Sequence, residues 1–424
     1  MTSSTPGAAS QVEEPGTEPL RRIRDFRLFW LSRVLSGLGS AVTYVAMPIL
    51  VYKETGSPLL VSLVAAGEAM PYVFFGLLAG ALADRMDRRR LMVTSDIANG
   101  LCLASIPLAS ALHCLTAVHI VAAAFLSSTL YIFFDAAGYG VVPTVVGRDR
   151  LPQANSAIWG AETAVRIVGT AMAGLLIAAM RPTGVLALDA VTFLASALLI
   201  RALTRAAPEP EVRADSRPRL VESIKEGLHF LWNQPELRLM TISGCLQSFA
   251  GGAFIGQLVI FADRGLGIRE PDPRVGLLFT AWSVGGVLGA VALPRLLKRI
   301  GALQIMRVAL PASMILGLLT ALTSDWRLAL PAIAAWGTAY LMVIVNTVTY
   351  AQTVTPASLQ SRVNTTRRML SSGVGAPAGA MTAGLMTASF NVRAGLLLAV
   401  AAIAVAAVAA WCLRPSSAAV GAQG

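Results

Sequence analysis

The chain predicts an all-α integral membrane protein with twelve transmembrane helices in two six-helix pseudo-symmetric halves and both termini cytoplasmic. Three observations carry this. Of the 424 residues, 55% are hydrophobic and 13% charged, with mean hydropathy +0.66, whereas a soluble domain carries about 25% charge. Apolar runs of the length a bilayer demands, about 20 residues, recur twelve times. The 34 Lys and Arg gather between those runs on one side: with a cytoplasmic N-terminus, 24 fall in cytoplasmic segments and seven outside, while Arg33, Arg166 and Arg307 lie within helices. Cytoplasmic loops carry the excess of Lys and Arg, which sets the orientation.

Residues 1–23 read as a disordered cytoplasmic tail, because their first twenty positions are polar, acidic and Pro/Gly/Ser-bearing, unlike a signal peptide. Apolar runs at 27–52, 58–83, 91–112, 115–141, 153–180 and 184–203 make an N-terminal six-helix domain, residues 24–203. Proline inside them (Pro48, Pro71, Pro107) is tolerable in lipid, where neighbouring helices satisfy the freed backbone groups. Residues 204–237 form a cytoplasmic linker. Leu220, Ile224, Leu228, Leu231 and Trp232 share one helical face there, and Glu222, Lys225 and Glu226 another, as in an amphipathic helix lying on a membrane surface. Runs at 238–263, 274–297, 303–323, 327–353, 360–388 and 391–413 make the C-terminal domain, residues 238–413, and a cytoplasmic tail follows at 414–424.

The halves share sequence. Gly289-Ala-Val-Ala-Leu-Pro-Arg-Leu-Leu-Lys-Arg299 matches Gly80-Ala-Leu-Ala-Asp-Arg-Met-Asp-Arg-Arg-Arg90 in its glycine, two alanines and last two cations, with Leu293 in the place of Asp84. An internal duplication of this kind is a mark of transporter folds.

Several functions are excluded. The four cysteines are isolated and the three histidines unclustered, so neither a metal centre nor a cofactor is expected. The chain has no GxxxxGK[ST], HExxH or GxSxG, so it does not read as an enzyme and ATP is not its energy source by that route. Its cations punctuate apolar runs instead of covering one face, which argues against nucleic acid.

Ionisable residues within lipid are costly and mark ion or substrate paths. Glu68 lies about 15 Å into the second run, and Glu162 and Arg166 about 14–20 Å into the fifth, by the helical rise. Glu68 has no partner within its own helix and is the first proton-coupling candidate; the alternative is a fixed bond to another helix. Glu162 and Arg166 stand four apart with Glu first, the favourable pairing order, and are coupling candidates or a mutually neutralised structural pair. Arg33, Asp96 and Asp135 fall in the cytoplasmic third of the first, third and fourth runs and are candidates for one buried ion cluster. Tyr44, Tyr72, Tyr131, Phe134, Gln247, Gln257, Trp282, Asn346 and Tyr350 are polar or aromatic at mid-depth, and each is a cavity candidate or a core or lipid-facing residue. An aromatic cavity with few fixed charges suits a bulky hydrophobic or amphipathic ligand.

The loop carrying Gly80, Asp84, Arg85, Arg88 and Arg89 resembles the G-x-x-x-D-R-x-G-R-R signature between the second and third helices of the major facilitator superfamily, with Asp87 where that family has glycine. The resemblance implies the major facilitator fold, with Asp84 meeting the start of the eleventh helix as a cytoplasmic latch. Arg24–Trp30, Glu68–Tyr72, Asp189–Phe193, Glu226–Trp232 and Leu359–Val363 resemble motifs of the bacterial drug:proton antiporter group that contains macrolide-efflux and enterobactin-exporter proteins. Asn99 stands where relatives often have arginine, and the usual fourth-helix arginine is missing. Gly169-Thr-Ala-Met-Ala-Gly174, and Gly373–Gly379 with Pro377, resemble the fifth-helix glycine motif of antiporters, which favours export.

The resemblance implies a secondary active transporter of a bacterial inner (plasma) membrane. It would export hydrophobic or amphipathic small molecules, antibiotic or siderophore-like, by alternating access against protons. Its partners would be that substrate, protons and the lipid bilayer, and nothing requires more than a monomer. A proton-independent importer of a small nutrient and a non-transporting membrane sensor are the alternatives.

Overall fold

In hydrocarbon every backbone N–H and C=O must be satisfied within its own segment, which leaves helices for runs this apolar. The computed structural model describes residues 20–83, 85–204, 220–269, 272–356 and 359–412, and they are helical throughout apart from turns and connections. Ten of the described helices are long and apolar enough to cross a membrane. Both tails lie largely outside the described residues, and Asp84 entirely so.

The N-terminal bundle comprises α1 (Arg24–Thr55), α2 (Pro58–Ala69), α3 (Pro71–Ala83), α4 (Arg88–Ala111), α5 (Ala117–Val146) and α6 (Leu151–Arg201). The run expected at 58–83 is broken between α2 and α3 at Met70, because Pro71 has no N–H to continue the ladder. The runs expected at 153–180 and 184–203 meet inside α6. At 51 residues α6 would be about 75 Å long if straight, far more than the ~30 Å hydrocarbon core. Arg181 at φ +64°, followed by Pro182, breaks it. The two limbs flank one stretch of α1, where Gly37 faces Val165 and Gly39 faces Asp189.

The C-terminal bundle comprises α8 (Pro235–Ile260), α9 (Arg274–Leu297), α10 (Ala302–Leu322), α11 (Trp326–Val354), α12 (Gln360–Arg368), α13 (Ala376–Ser389) and α14 (Val392–Cys412). The run expected at 360–388 is α12 and α13 joined by a π-helical turn, Met369–Gly375. There Gly375 packs against the Cys245 carbonyl and Gly373 against Val73 of α3. Single π turns inside helices frequently mark functional sites.

The linker helix is α7 (Leu220–Asn233). Its described residues seat it on the C-terminal bundle: Glu226 forms an ion pair with Arg362, and Leu231 is buried with Leu237, Ala351 and Val363. Leu228 and Trp232 stay exposed on its other side. Gly227 permits this close approach, since a Cβ there would stand 2.7 Å from Thr366 Oγ1 and 2.8 Å from the Arg362 carbonyl. Gly227→Val is therefore expected to lift α7 from α12, measured as faster tryptic cleavage at the exposed Lys225.

Candidate functional site

Between the bundles lies a cavity of about 1000 Å³. One end is sealed by contacts between the two bundles. Tyr52 at the end of α1 donates to Asp263 at 2.7 Å, and Arg264 reaches back to the Tyr52 hydroxyl at 3.1 Å and to the Gly56 carbonyl at 3.3 Å. Gln257 of α8 donates to Ser62 of α2 at 2.6 Å. Gly174 of α6 and Gly276 of α9 meet so closely that a Cβ on Gly276 would fall 2.6 Å from the Gly174 nitrogen. Beside this end Asp272, whose carboxyl is held below the usual carboxylate range by the Arg274 guanidinium at 2.5 Å, ties down the start of α9. The cavity extends away from the seal, and exposed residues such as Tyr139, Trp159 and Arg368 line it.

Its two walls differ in chemistry. The wall from α8, α9 and α11 carries no charge: Gly251, Gly252, Gly286 and Gly337 make it flat, and Trp282 and Tyr340 supply the rings. Trp282 packs 4.9 Å from Tyr340, 4.8 Å from Phe254 and 5.5 Å from Trp336, so the shelf is backed by buried aromatics. Trp336 is in turn fixed by an indole N–H···Oγ bond of 3.0 Å to Ser313. The opposite wall bears the charges Arg33, Glu68, Asp135, Glu162 and Arg166, and Arg368 of α12 reaches in to stand 4.7 Å over the Tyr72 ring.

Arg33 organises the charged wall. It donates to Asp135 at 2.9 Å and through Nε to Glu162 at 3.0 Å, so one guanidinium ties α1 to α5 and α6. Phe134 lies beneath it, 5.6 Å away, which explains why Phe134 is buried and does not line the cavity. Glu68 also lines the cavity and takes part in none of the hydrogen bonds or ion pairs found among the described residues. It and Arg166 both lie within electrostatic reach of Tyr44.

Several sequence expectations are corrected here. Glu162 does not pair with Arg166, four residues on. Its carboxylate turns to Arg33, a buried cation that needs neutralising, and Arg166 is left exposed in the cavity. Of the expected Arg33–Asp96–Asp135 cluster, Asp135 joins, while Asp96 is buried between α4 and α6 without a bond to Arg33. Tyr44, Tyr72, Tyr131 and Trp282 line the cavity. Gln247, Gln257 and Asn346 do not: each is fully buried, bonded to Ser313, Ser62 and the Ala302 carbonyl. Tyr350 donates to Glu236 at 2.5 Å, outside the cavity. Depth along a helix is readable from sequence, but the direction in which the residue faces is not.

The loop and glycine motifs sit at contacts. Arg88 donates to the Gly140 carbonyl at 2.9 Å and Arg89 to that of Arg201, while Arg85 is exposed. Gly80 lines a smaller pocket of about 430 Å³ that shares Tyr72, Asp135 and Tyr139 with the cavity. Gly169 packs on Ala41 of α1, Gly174 on Pro273, and Pro377 is buried in α13. Trp159, Tyr340 and Arg368 also line the cavity and are not among the residues the sequence singles out; for Tyr340 a ring three residues after Gly337, on the same helix face, is the signal the sequence offers.

The profile of a family described as transmembrane secretion effectors matches residues 16–420. The chain is 30% identical to the multidrug efflux pump Tap of Mycolicibacterium fortuitum, over 62% of this chain and 65% of that protein. It is 23% identical to macrolide efflux protein A of Streptococcus pyogenes, over 53% of this chain and 55% of that one. These alignments thus span less than two thirds of the length of the curated relatives. Among solved structures, a variant of the nucleoside transporter NupG superposes with TM-score 0.75 at 14% identity, covering 92% of this chain and 99% of that one. A bacterial homologue of the iron transporter ferroportin, in an inward-facing state, gives 0.70 at 17% identity, covering 93% and 99%. At such identities these two likenesses concern the fold.

Proposed function

The chain belongs to the transmembrane secretion effector family of the major facilitator superfamily, and from that membership we propose that it exports drug-like hydrophobic or amphipathic small molecules in exchange for protons. The observation that carries the reading is a cavity of about 1000 Å³ between two bundles, sealed at one end and lined by a carboxylate, Glu68, that forms no hydrogen bond or ion pair among the described residues. Drug-sized ligands occupy sites of about 300–1,000 Å³ that are mostly apolar with a few placed polar groups. The relatives' names speak of drugs, so the siderophore-like part of the expectation is not carried forward.

On this reading α6 counts as two spans, α2 with α3 as one and α12 with α13 as one, giving twelve in two domains, residues 24–203 and 238–413. The Lys/Arg asymmetry supports a reading in which both termini and the linker 204–237 lie on the cytoplasmic side of a bacterial plasma membrane. The seal is then extracellular and the cavity faces inward. Substrate enters from the cytoplasm or the inner leaflet and rests against the Trp282–Tyr340 shelf. Glu68 takes a proton when the site opens outward and releases it inward, and Asp84 latches the cytoplasmic side in the other state. A monomer suffices, because the two bundles enclose the whole cavity.

Everted vesicles test this. Accumulation of a fluorescent drug driven by an imposed pH gradient is the expected result. Equilibration without dependence on the gradient would mark a facilitator, and no movement under any gradient a sensor.

The seal yields a further prediction. Tyr52→Phe removes the donor to Asp263 and the acceptor for Arg264, about 1 kcal/mol of net hydrogen bonding, or roughly fivefold in an equilibrium. In a background lacking the four native cysteines, a cysteine at Ser62 is expected to react with a membrane-impermeant thiol reagent several-fold faster when Tyr52 is Phe.

A further inference from the structure

Three residues of the cavity share one level below its seal. Arg166 stands eight residues before Gly174 on the first limb of α6, about 12 Å down the helix from the Gly174–Gly276 contact. Trp282 stands six residues past Gly276 on α9, about 9 Å down from the same contact. Glu68 stands six residues past Ser62 on α2, about 9 Å down from the Ser62–Gln257 bond. All three line the cavity. Arg166 is thus level with the aromatic shelf on the facing wall.

The side chain of Arg166 is exposed there and makes no hydrogen bond, ion pair or ring contact among the described residues. The acid one turn away, Glu162, is taken by Arg33, and so is Asp135. Arg368 is differently placed. It lies over the ring of Tyr72, four residues past Glu68 and so about 6 Å further from the seal. An arginine at mid-membrane is costly, and it keeps its charge at any working pH. Its planar fork of N–H donors matches the two oxygens of a carboxylate. Arg166 therefore presents a permanent fork at the height where the Trp282–Tyr340 shelf would hold a ring.

We propose that Arg166 determines specificity by binding the carboxylate of an aromatic amphiphile whose rings lie on the Trp282–Tyr340 shelf. This rests on the reading of the cavity as the transport site. The far end of such a ligand, toward Glu68, is neutral or basic, because a second acid there would meet a like charge. The favoured cargo is therefore a monoacid or a zwitterion. A neutral or purely cationic drug leaves the fork empty and forgoes its paired, charge-assisted N–H···O bonds.

Two dyes of one skeleton test this: rhodamine B, which carries a free carboxylate, and its ethyl ester, which does not. Binding to the purified full-length protein is read by fluorescence anisotropy at a single pH, with no gradient. Wild type is expected to bind the acid at least about tenfold more tightly than the ester, a difference of ~1.4 kcal/mol. Arg166→Gln should erase that preference. Arg166→Lys keeps the charge without the fork, so part of the preference should survive. No preference in wild type, or the wild-type preference retained in Arg166→Gln, overturns the proposal. If Arg166→Gln does not fold, an undiminished preference in Arg166→Lys overturns it equally. The export reading fails separately: a protein that keeps the preference but moves neither dye under any pH gradient has the site without the transport. Gradient-driven accumulation with no preference for the acid removes the site and leaves export standing.

Discussion

Glu68→Gln is expected to lower export driven by a pH gradient at least about tenfold, a change of ~1.4 kcal/mol in the coupled step, while leaving substrate exchange at equal pH near wild type. Glutamine keeps the size and polarity of the side chain and removes only its exchangeable proton. Because Glu68 lines the cavity without an ion pair among the described residues, none of them is orphaned by the change, so the protein should fold and reach the membrane in normal yield. Glu68→Asp, which restores a titrating group on a shorter stem, should recover part of the gradient dependence. Export by the glutamine protein that tracks the gradient as wild type does would remove Glu68 from the coupling path. It would leave Glu162 to carry it.

Arg33→Gln is expected to act on the fold itself. Asp135 and Glu162 would be left facing each other without the cation that holds both. Removing one member of a buried ion pair costs about 3–5 kcal/mol. Here the side chains of the two acids are 22% and 32% exposed to the cavity, and water there screens part of the repulsion, so about 2–3 kcal/mol is expected. The result would be read as a lower melting temperature and reduced membrane yield. Adding Glu162→Gln should return part of that stability, because it takes away one of the two uncompensated charges. Were the double variant no more stable than the single one, the Arg33–Glu162 contact would not be what holds α1 to α6.

How much of this could be read beforehand follows from which properties are local. Composition and run length are local, and they led to the all-helical membrane architecture and to most helix positions within a few residues. The break at Met70–Pro71 was half visible: the proline stood in the sequence, but whether neighbours would absorb it depended on packing. The π turn at Met369–Gly375 was not visible, because it arises where Gly373 and Gly375 meet Val73 and Cys245 of other helices. The site divides in the same way. Tyr44, Tyr72, Tyr131 and Trp282 were found by depth. Gln247, Gln257 and Asn346 lie at similar depth but are buried away from the cavity, Gln247 and Asn346 within their own bundle and Gln257 against Ser62 of the other. The spacing of Glu162 and Arg166 suggested a pair, yet the carboxylate found its cation 129 positions away, and no local pattern encodes that choice.

On the proposed function, the separation of charge and shelf onto opposite walls bears on how the protein would adapt under antibiotic selection. Substitutions at Trp282, Ser283, Tyr340 or Leu341 would reshape what the cavity accepts without removing an ion pair or a carboxylate among the described residues. On that reading new cargo would be acquired by drift on one wall while the proposed coupling residues stay under purifying constraint on the other. Variants with a broadened resistance spectrum should carry their changes in α9 and α11, and variants that lose activity outright should carry theirs in α1, α2 and the first limb of α6.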